Sequence, residues 1–460
     1  VTGSDPKLGS MLVSSLGEAG VRARWLETVP PDAGAVIFLG CDAGTGDASA
    51  AAAVSRAAFA AARSVAKGMS ARGGVFVTVQ DTGGNFGLSG QPAPGCWSGA
   101  PAALARTLQV EWPRARVRAI DLERGGRPPS ELGGALLEEL RAPSKVVAVG
   151  LRRDGRRTTI GFRTKPAARG AGTSFVDSSS VLVASGGAHG ITASCLIRLA
   201  RERKPKAFAL LGRTPLLSPA QLEGLEGEEP VVLAEFGRRA TTAGENVQPR
   251  ELRARARRAI ASREALRTLA SLRSAGSEAD YFVADVRDEA ALRAAIASVR
   301  ERWGAVTGLV HGAGVLADRR VADKTPEQFS EVYSTKVDGL ERLLAATRGE
   351  PLRVLCLFSS MAACIGNPGQ SDYAMANEVL NGVARHEARR RGKHCLVKSF
   401  NWGPWEGGMV TPELKAHFEA RGASLIPLEA GSAFFVEELV AGDIESVSIL
   451  VGDPWKMGEE

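Results

Sequence analysis

The chain has little of what builds a metal centre or a disulfide framework. Its 460 residues include six cysteines, at positions 41, 96, 195, 356, 364 and 395, and five histidines. No two cysteines have C-x-x-C spacing, and the histidines show no ligand spacing with them, so no metal site is expected. Cys195, Cys356 and Cys395 stand in apolar segments and read as small core residues. A reducing cytoplasm is the compartment this usage fits. No apolar run approaches the roughly 18 residues of a membrane helix. The opening Val1-Thr2-Gly3-Ser4 has none of the parts of a secretion signal. An initiator Met is also missing, so a piece of a longer polypeptide is expected. Tyrosine is scarce, three in all, which makes each placement informative.

Acidic residues are the minority charge. Asp and Glu number 51 against 58 Lys and Arg, a net charge of +7, and the pI is near 9.2. A basic excess is one mark of nucleic-acid binders. Here it is arginine spread through Ala-, Arg- and Gly-rich sequence, so no nucleic-acid partner is expected. The densest cluster, Arg250 to Arg273, carries Leu252, Ile260, Leu266 and Leu269 as an amphipathic helix does. Its basic face suits an acidic partner protein.

What is present is a strand–helix rhythm, in a chain long enough for two or three domains with sizeable cores. Strands are expected at 35–39, 75–79, 117–120 and 145–149, with helices at 48–66 and 101–112, then a turn at 152–157 and a connecting strand at 158–162. The second half repeats the pattern, with strands at 181–184, 207–211, 280–284, 307–311, 353–358 and 395–400. This is the βαβ alternation of parallel sheets. The spacing breaks between residues 213 and 280, which marks an insertion or a disordered segment. Within it, 215–230 reads as loop and 249–275 as helix. The segments from Val75 to Val117 and from Val354 to Leu396 both run strand, Gly/Pro loop, helix, strand, a weak internal repeat. A gapless slide of one onto the other sets Asp81 against Ser360, Pro94 against Tyr373 and Ser98 against Asn377. The first half also lacks a glycine fingerprint, since Leu39 to Gly44 is only loosely similar to one. The fold expected is α/β, with two Rossmann-like doubly wound parallel sheets. The first, residues 1–165, is truncated and catalytically silent. The second, residues 166–460, binds the cofactor and carries a helical insertion at about 214–279.

A buried strand, Val181 to Ala184, runs into Ser185-Gly186-Gly187-Ala188-His189-Gly190-Ile191-Thr192 and then a helix over 193–203. Glycines there let the backbone approach a pyrophosphate seated on the helix N-terminus. Thr192 stands where many such loops carry another glycine. The next strand ends at Gly212-Arg213. An acid at that position accepts from the ribose diol of NAD, whereas an arginine pairs with the 2′-phosphate of NADP. NADPH is therefore the expected cofactor. Asp285 and Val286 end the third strand, where adenine can rest; Asp285 can equally cap the helix that begins near Glu289. His311, Gly312, Ala313 and Gly314 end the fourth, leaving room for ribose and nicotinamide.

Carbonyl reduction needs a proton source beside the oxygen. Tyr373 supplies a phenol, Asn377 follows one helical turn later, Ser360 ends a strand, and Lys336 lies on a helix over 329–347. Free tyrosine has a pKa of about 10, and a nearby ammonium lowers it. Ser360 can hydrogen-bond the substrate carbonyl, and Asn377 can hold a water or the lysine. A tyrosine merely packed under a helix accounts for Tyr373 alone but not for the whole set.

These motifs resemble those of ketoreductase domains of modular polyketide and fatty-acid synthases, within the short-chain dehydrogenase/reductase superfamily. The resemblance rests on Ser185 to Ile191, Phe358 to Ser360, Gly366 to Asn377 and Asn401-Trp402-Gly403-Pro404-Trp405. Most short-chain dehydrogenases place lysine four residues after the tyrosine; asparagine there with an earlier lysine is similar to the synthase enzymes. The resemblance implies that Tyr373 donates the proton, Ser360 orients the carbonyl, Lys336 tunes the tyrosine and Asn377 supports the relay. Lys336 and Tyr373 also border the cofactor. It implies a silent structural subdomain in the first half, where Ala103 to Pro113 is similar to that family. It further implies a 3-oxoacyl substrate on an acyl carrier protein, reduced to the 3-hydroxyacyl thioester, with other domains of a parent synthase as partners and no membrane. The insertion, with Arg263 to Leu269, is similar to iterative synthases of polyunsaturated fatty acids and enediyne cores. Leu316 and Asp318 partly match the Leu-Asp-Asp mark of domains giving the D-hydroxy product, with Ala317 between them. Ile365 replaces the tryptophan of the opposite class. Met361, Trp402, Gly403 and Pro404 complete the expected substrate side. The competing readings are a free-standing reductase of small ketones or CoA thioesters, and an inactive scaffold.

Overall fold

A computed structural model describes residues 1–41, 47–88, 95–143, 145–164, 175–407, 424–441 and 443–453. The first sheet has six strands in the order β1-β2-β3-β4-β5-β6: Thr2–Gly3, Ala35–Leu39, Gly74–Gln80, Ala115–Leu122, Ala148–Leu151 and Arg157–Thr159. Its helices are α1 (Pro6–Glu18), α2 (Ala48–Arg72), α3 (Ala100–Glu111) and α4 (Pro129–Arg141). All its pairings are parallel except β5 with β6, which is antiparallel and closes the edge. The expected strand at 145–149 begins later, at Ala148, and the connecting strand is the three residues of β6. Residues 1–18, without a clear periodic signal, add an edge strand and a helix capped by Asp5, which accepts from Leu8 N.

The second sheet has seven parallel strands in the order β13-β12-β11-β10-β7-β8-β9. In chain order these are β7 (Val181–Ser185), β8 (Ala207–Gly212), β9 (Glu278–Val283), β10 (Gly308–His311), β11 (Val354–Ser360), β12 (Leu396–Trp402) and β13 (Ser448–Val451). The helices are α5 (Gly190–Arg203), α6 (Pro219–Leu222), α7 (Glu229–Thr242), α8 (Pro249–Ser274), α9 (Glu289–Trp303), α10 (Pro326–Ala346), α11 (Met361–Ile365), α12 (Ser371–Arg391) and α13 (Leu428–Ala441). Strand order reverses between β7 and β10, the switch point where doubly wound sheets bind ligands. The insertion is ordered. The stretch expected as loop holds α6 and leads into α7, and α7 packs on α8 around Leu225, Val232, Ala256 and Ala259. The boundary expected at 165/166 lies outside the described residues.

The two sheets share a core. Phe59 of α2 stacks on Phe329 of α10 at 4.6 Å, and Ser55 Oγ lies 3.0 Å from the Tyr333 hydroxyl. Helix α3 packs directly on α12.

The repeat holds for the strands: β3 pairs with β4 as β11 pairs with β12. It holds only in part for the helices. Helices α3 and α12 stop at corresponding positions, but α12 begins about two turns earlier. Tyr373 and Asn377 lie in those extra turns. Ser98 therefore precedes its helix and has no helical equivalence with Asn377, and Pro94 lies outside the described residues.

Candidate active site

The carboxyl ends of the second sheet open into a cleft of about 1120 Å³. Gly186, at φ +68°, sits so close to β10 that a Cβ would lie 2.6 Å from Ala313 N. Gly190 opens α5 at φ +65° with open space beyond it, and no side chain caps that helix. Its first N–H groups are therefore free to meet an anion. Thr192 tolerates the place of a glycine because Gly312 faces it: a Cβ on Gly312 would lie 2.4 Å from Thr192 Oγ1. This cradle fits the pyrophosphate of a dinucleotide. Ala188, His189, Gly190 and Ile191 line the cleft, as do Gly312, Ala313 and Gly314.

Three expected cofactor contacts are placed elsewhere. Gly187 is pressed against Leu196 and Leu210 and serves strand–helix packing. Ser185 and His311 are wholly buried behind the cleft. His311 Nε2 is 2.9 Å from Lys336 O, an acceptor, so that nitrogen carries the hydrogen. Nδ1 then accepts from Ser185 Oγ at 2.7 Å. Burial, helped by the Lys336 charge, pushes the imidazole down to about 3 and keeps it neutral. These two side chains brace the turn of α10 that carries Lys336.

Gly212 and Arg213 line the cleft at the end of β8. The loop after them is pinned from β9 and from α8. Tyr281 donates its hydroxyl to Thr214 O at 2.8 Å, and Arg258 Nε of α8 donates to Pro215 O at 3.1 Å. Ser262 Oγ of the same helix accepts from Leu217 N at 3.0 Å, and Thr268 Oγ1 donates to Ala188 O at 2.9 Å. The insertion thus buttresses both the arginine loop and the glycine loop, and Arg258, Ser262 and Glu264 border the cleft. Their helical spacing was legible in the sequence, but the side of the sheet they reach was not. Asp285 lines the cleft but does not cap α9; Asp288 does, accepting from Ala291 N at 3.0 Å. Asp285 instead binds Arg287, Nη2 to Oδ2 at 2.7 Å, and that pairing holds its carboxyl below the usual range. Val286 lines the cleft beside it.

The four expected reactive side chains converge. Ser360 ends β11, and its Oγ accepts from Ala362 N at 3.2 Å, which leaves its own hydrogen free to donate. Tyr373 stands on the first turn of α12, reached by the cleft. Asn377 Nδ2 donates to Tyr373 O at 2.8 Å, while its buried Oδ1 has no protein partner. Lys336 is buried on α10; its Nζ donates to Phe358 O at 2.9 Å and lies 5.3 Å from the Tyr373 ring centroid. Burial pushes the lysine down to about 7. Burial also pushes the Tyr373 phenol up to about 12, with the Asn377 and Ser360 side chains acting the other way. Burial, and not the expected lowering by the ammonium, governs the phenol. The phenol therefore holds its proton at neutral pH.

On the substrate side, Leu316, Asp318, Met361, Trp402, Gly403 and Pro404 all line the cleft. Asp318 Oδ2 accepts from Gln370 Nε2 at 2.9 Å. Beneath them is a buried ion pair that no sequence pattern signalled: Lys324 Nζ lies 2.6 Å from Asp372 Oδ2, with the side chains 0% and 1% exposed. Lys324 also donates to Ala317 O at 2.7 Å, and Asp372 Oδ1 accepts from Tyr373 N at 2.9 Å. The pair ties the loop bearing Leu316 and Asp318 to the start of α12.

A glycine cradle at the switch point, facing a Ser–Tyr–Lys–Asn set, defines a Rossmann-type reductase of the short-chain dehydrogenase/reductase class. The chain belongs to the ketoreductase family described as KR domain, whose family model matches residues 180–407. Domains of this kind bind a nicotinamide cofactor. The chain is 35% identical over 394 residues to one of the subunits of the polyunsaturated fatty acid synthase of Thraustochytrium sp., an overlap of 83% of this chain and 14% of that protein. It is 34% identical over 218 residues to polyketide synthase ThaG of Burkholderia thailandensis, 44% of this chain and 4% of the relative. The chain thus spans a small part of the length of these relatives. Among solved structures, a ketoreductase domain from the bacillaene assembly line superposes with a TM-score of 0.72 at 21% identity, covering 98% of this chain and 91% of the other. A ketoreductase from the first module of phoslactomycin biosynthesis in Streptomyces sp. HK803 gives 0.69 at 22% identity, covering 98% and 88%. At that identity the likeness establishes the fold. Among the described residues, no helix is long and apolar enough to cross a membrane.

Proposed function

We propose that this chain reduces a 3-oxoacyl group, carried as a thioester on an acyl carrier protein, to the 3-hydroxyacyl form with NADPH. The observation that carries the reading is the convergence of Ser360, Tyr373 and Lys336 on the cleft that also holds the glycine cradle, with Asn377 buried and bonded to the Tyr373 carbonyl. Bound NADPH supplies the hydride. The chain's own residues do the rest. Ser360 points its free hydrogen at the ketone oxygen, and Tyr373 gives that oxygen its proton. The unpartnered Asn377 Oδ1 accepts from a water or from the lysine ammonium, and Lys336, which burial pushes down to about 7, restores the proton to the phenol. Arg213 favours NADPH by pairing with the 2′-phosphate, and Arg258 from the insertion lines the same cleft. Leu316, Asp318 and Ile365 favour the D product. The cytoplasm is the expected compartment, and the other domains of a parent synthase are the expected partners.

The test is turnover. The chain should oxidise NADPH with a carrier-bound 3-oxoacyl thioester and bind NADPH more tightly than NADH. Equal rates on carrier-bound and CoA thioesters favour a free-standing reductase, and an absence of nucleotide binding favours a scaffold.

A further inference from the structure

The cleft has a lining residue from the other sheet. Val110, on the last turn of α3, is 38% exposed and borders the same cavity as Leu316 and Ile365. Its neighbour Glu111 is buried, and its two carboxylate oxygens go separate ways. Oε2 accepts from Val321 N at 3.0 Å, and Oε1 accepts from Gly369 N at 2.8 Å. Val321 ends the loop that carries Leu316 and Asp318. Gly369 sits in the loop between α11 and α12 that carries Asn367 and Pro368. One carboxylate therefore spans the two loops that face each other across the substrate side. Arg319 N adds a direct bond between them, to Gly369 O at 3.0 Å. Helix α3 also lies hard beneath the second loop: a Cβ on Gly366 would lie 2.6 Å from the Arg106 carbonyl carbon, and Arg106 donates to Ala363 O.

We propose that the sheet without reactive side chains selects the acyl chain. Val110 is a specificity-determining part of the acyl wall, and Glu111 is a positioning residue that sets the gap between the two loops. Hydrogen bonds to a charged acceptor are stronger than neutral ones, and a buried carboxylate with two backbone donors has one favoured geometry. Glutamine cannot reproduce it, because its amide nitrogen would face a backbone N–H. The idea rests on the 3-oxoacyl reading above.

The experiment uses the full chain with NADPH and N-acetylcysteamine 3-oxoacyl thioesters of four and twelve carbons, with NADPH affinity read by fluorescence. Val110→Phe should lower kcat/KM for the long thioester relative to the short one by about tenfold or more, since methylene-scale misfits in apolar pockets are worth about 10–200-fold. Glu111→Gln should raise KM for both thioesters more than it lowers kcat, with NADPH affinity retained. A chain-length ratio unchanged in Val110→Phe overturns the acyl-wall assignment. A normal KM in Glu111→Gln overturns the clamp. If Glu111→Gln fails to bind NADPH, its fold is lost and Val110→Phe decides alone. A wild-type chain that binds NADPH but reduces neither thioester overturns both this proposal and the reading beneath it.

Discussion

The strand–helix–strand units β3-α3-β4 and β11-α12-β12 are built alike and end differently. After β11 the chain leaves the crevice open, and the early start of α12 puts Tyr373 at its wall, with the buried Asn377 one turn further on. After β3 the described chain is instead drawn in by a carboxylate. Asp121, in register with Gln80 as Trp402 is with Ser360, accepts from Thr82 N at 2.6 Å, Asn85 N at 2.7 Å and Phe86 N at 2.6 Å. That carboxylate gathers residues 82–86 beside β6, where Thr158 Oγ1 donates to Gly84 O at 2.9 Å, and holds Phe86 at φ +58°, an uncommon angle for a non-glycine residue. Asp81, opposite Ser360 in the repeat, accepts from Gly83 N and Arg124 N and closes the same loop. A similar scaffold therefore yields a drawn-in end or a reactive one according to two helical turns and one carboxylate.

The contrast between the two ends is most severely disturbed at Tyr373. Tyr373→Phe removes the proton donor that the first sheet never had, and kcat should fall by about 10²–10⁴-fold, read by NADPH oxidation under single-turnover conditions. Arg213→Ala should erase the preference for NADPH, by about tenfold or more in relative Kd, given the strength of charge-assisted hydrogen bonds. The corresponding lesion in the first sheet should cost stability and not chemistry. Asp121→Asn leaves a buried backbone N–H without its acceptor, a loss of about 1–3 kcal/mol, measured as a lower denaturation midpoint with the rate per folded molecule unchanged.

The effect smallest per step is a pH slope, spread over several pH units. Burial lowers Lys336 from 10.5 to about 7, so between those values the unfolded chain binds the extra proton. Stability then rises with pH through the window, by up to roughly 1.4 kcal/mol per unit from this group. The penalty is full below pH 7 and gone above 10.5. Lys336→Met should lack that component, so its stability advantage over wild type shrinks as the pH rises.

Much of this was legible beforehand because strands buried on both faces read as apolar runs and glycine turns read as punctuation. Twelve residues of strand, glycine loop and helix start, from Val181 to Thr192, located the cradle. The spacing of Tyr373 and Asn377 located the reactive helix. What stayed hidden depends on contacts distant in sequence. Ser185 and His311 look like cofactor contacts on paper, yet they turn inward because each satisfies the other. Glu111, Lys324 and Asp372 are ordinary charged residues until the fold buries them together. The insertion showed its helix, but nothing in its pattern indicated that Thr268 would reach Ala188 O.

On the proposed reading the second sheet carries the nucleotide site, and the first, where Asp121 draws residues 82–86 together at the strand ends, carries none. Titrating the full chain with NADPH while following the cofactor's fluorescence tests this, for wild type and for Gly186→Val, whose side chain would meet Ala313 N. One NADPH should bind per wild-type chain, and none should bind to a Gly186→Val chain that retains wild-type helicity. Two NADPH per wild-type chain, or one still bound by the folded variant, would contradict it.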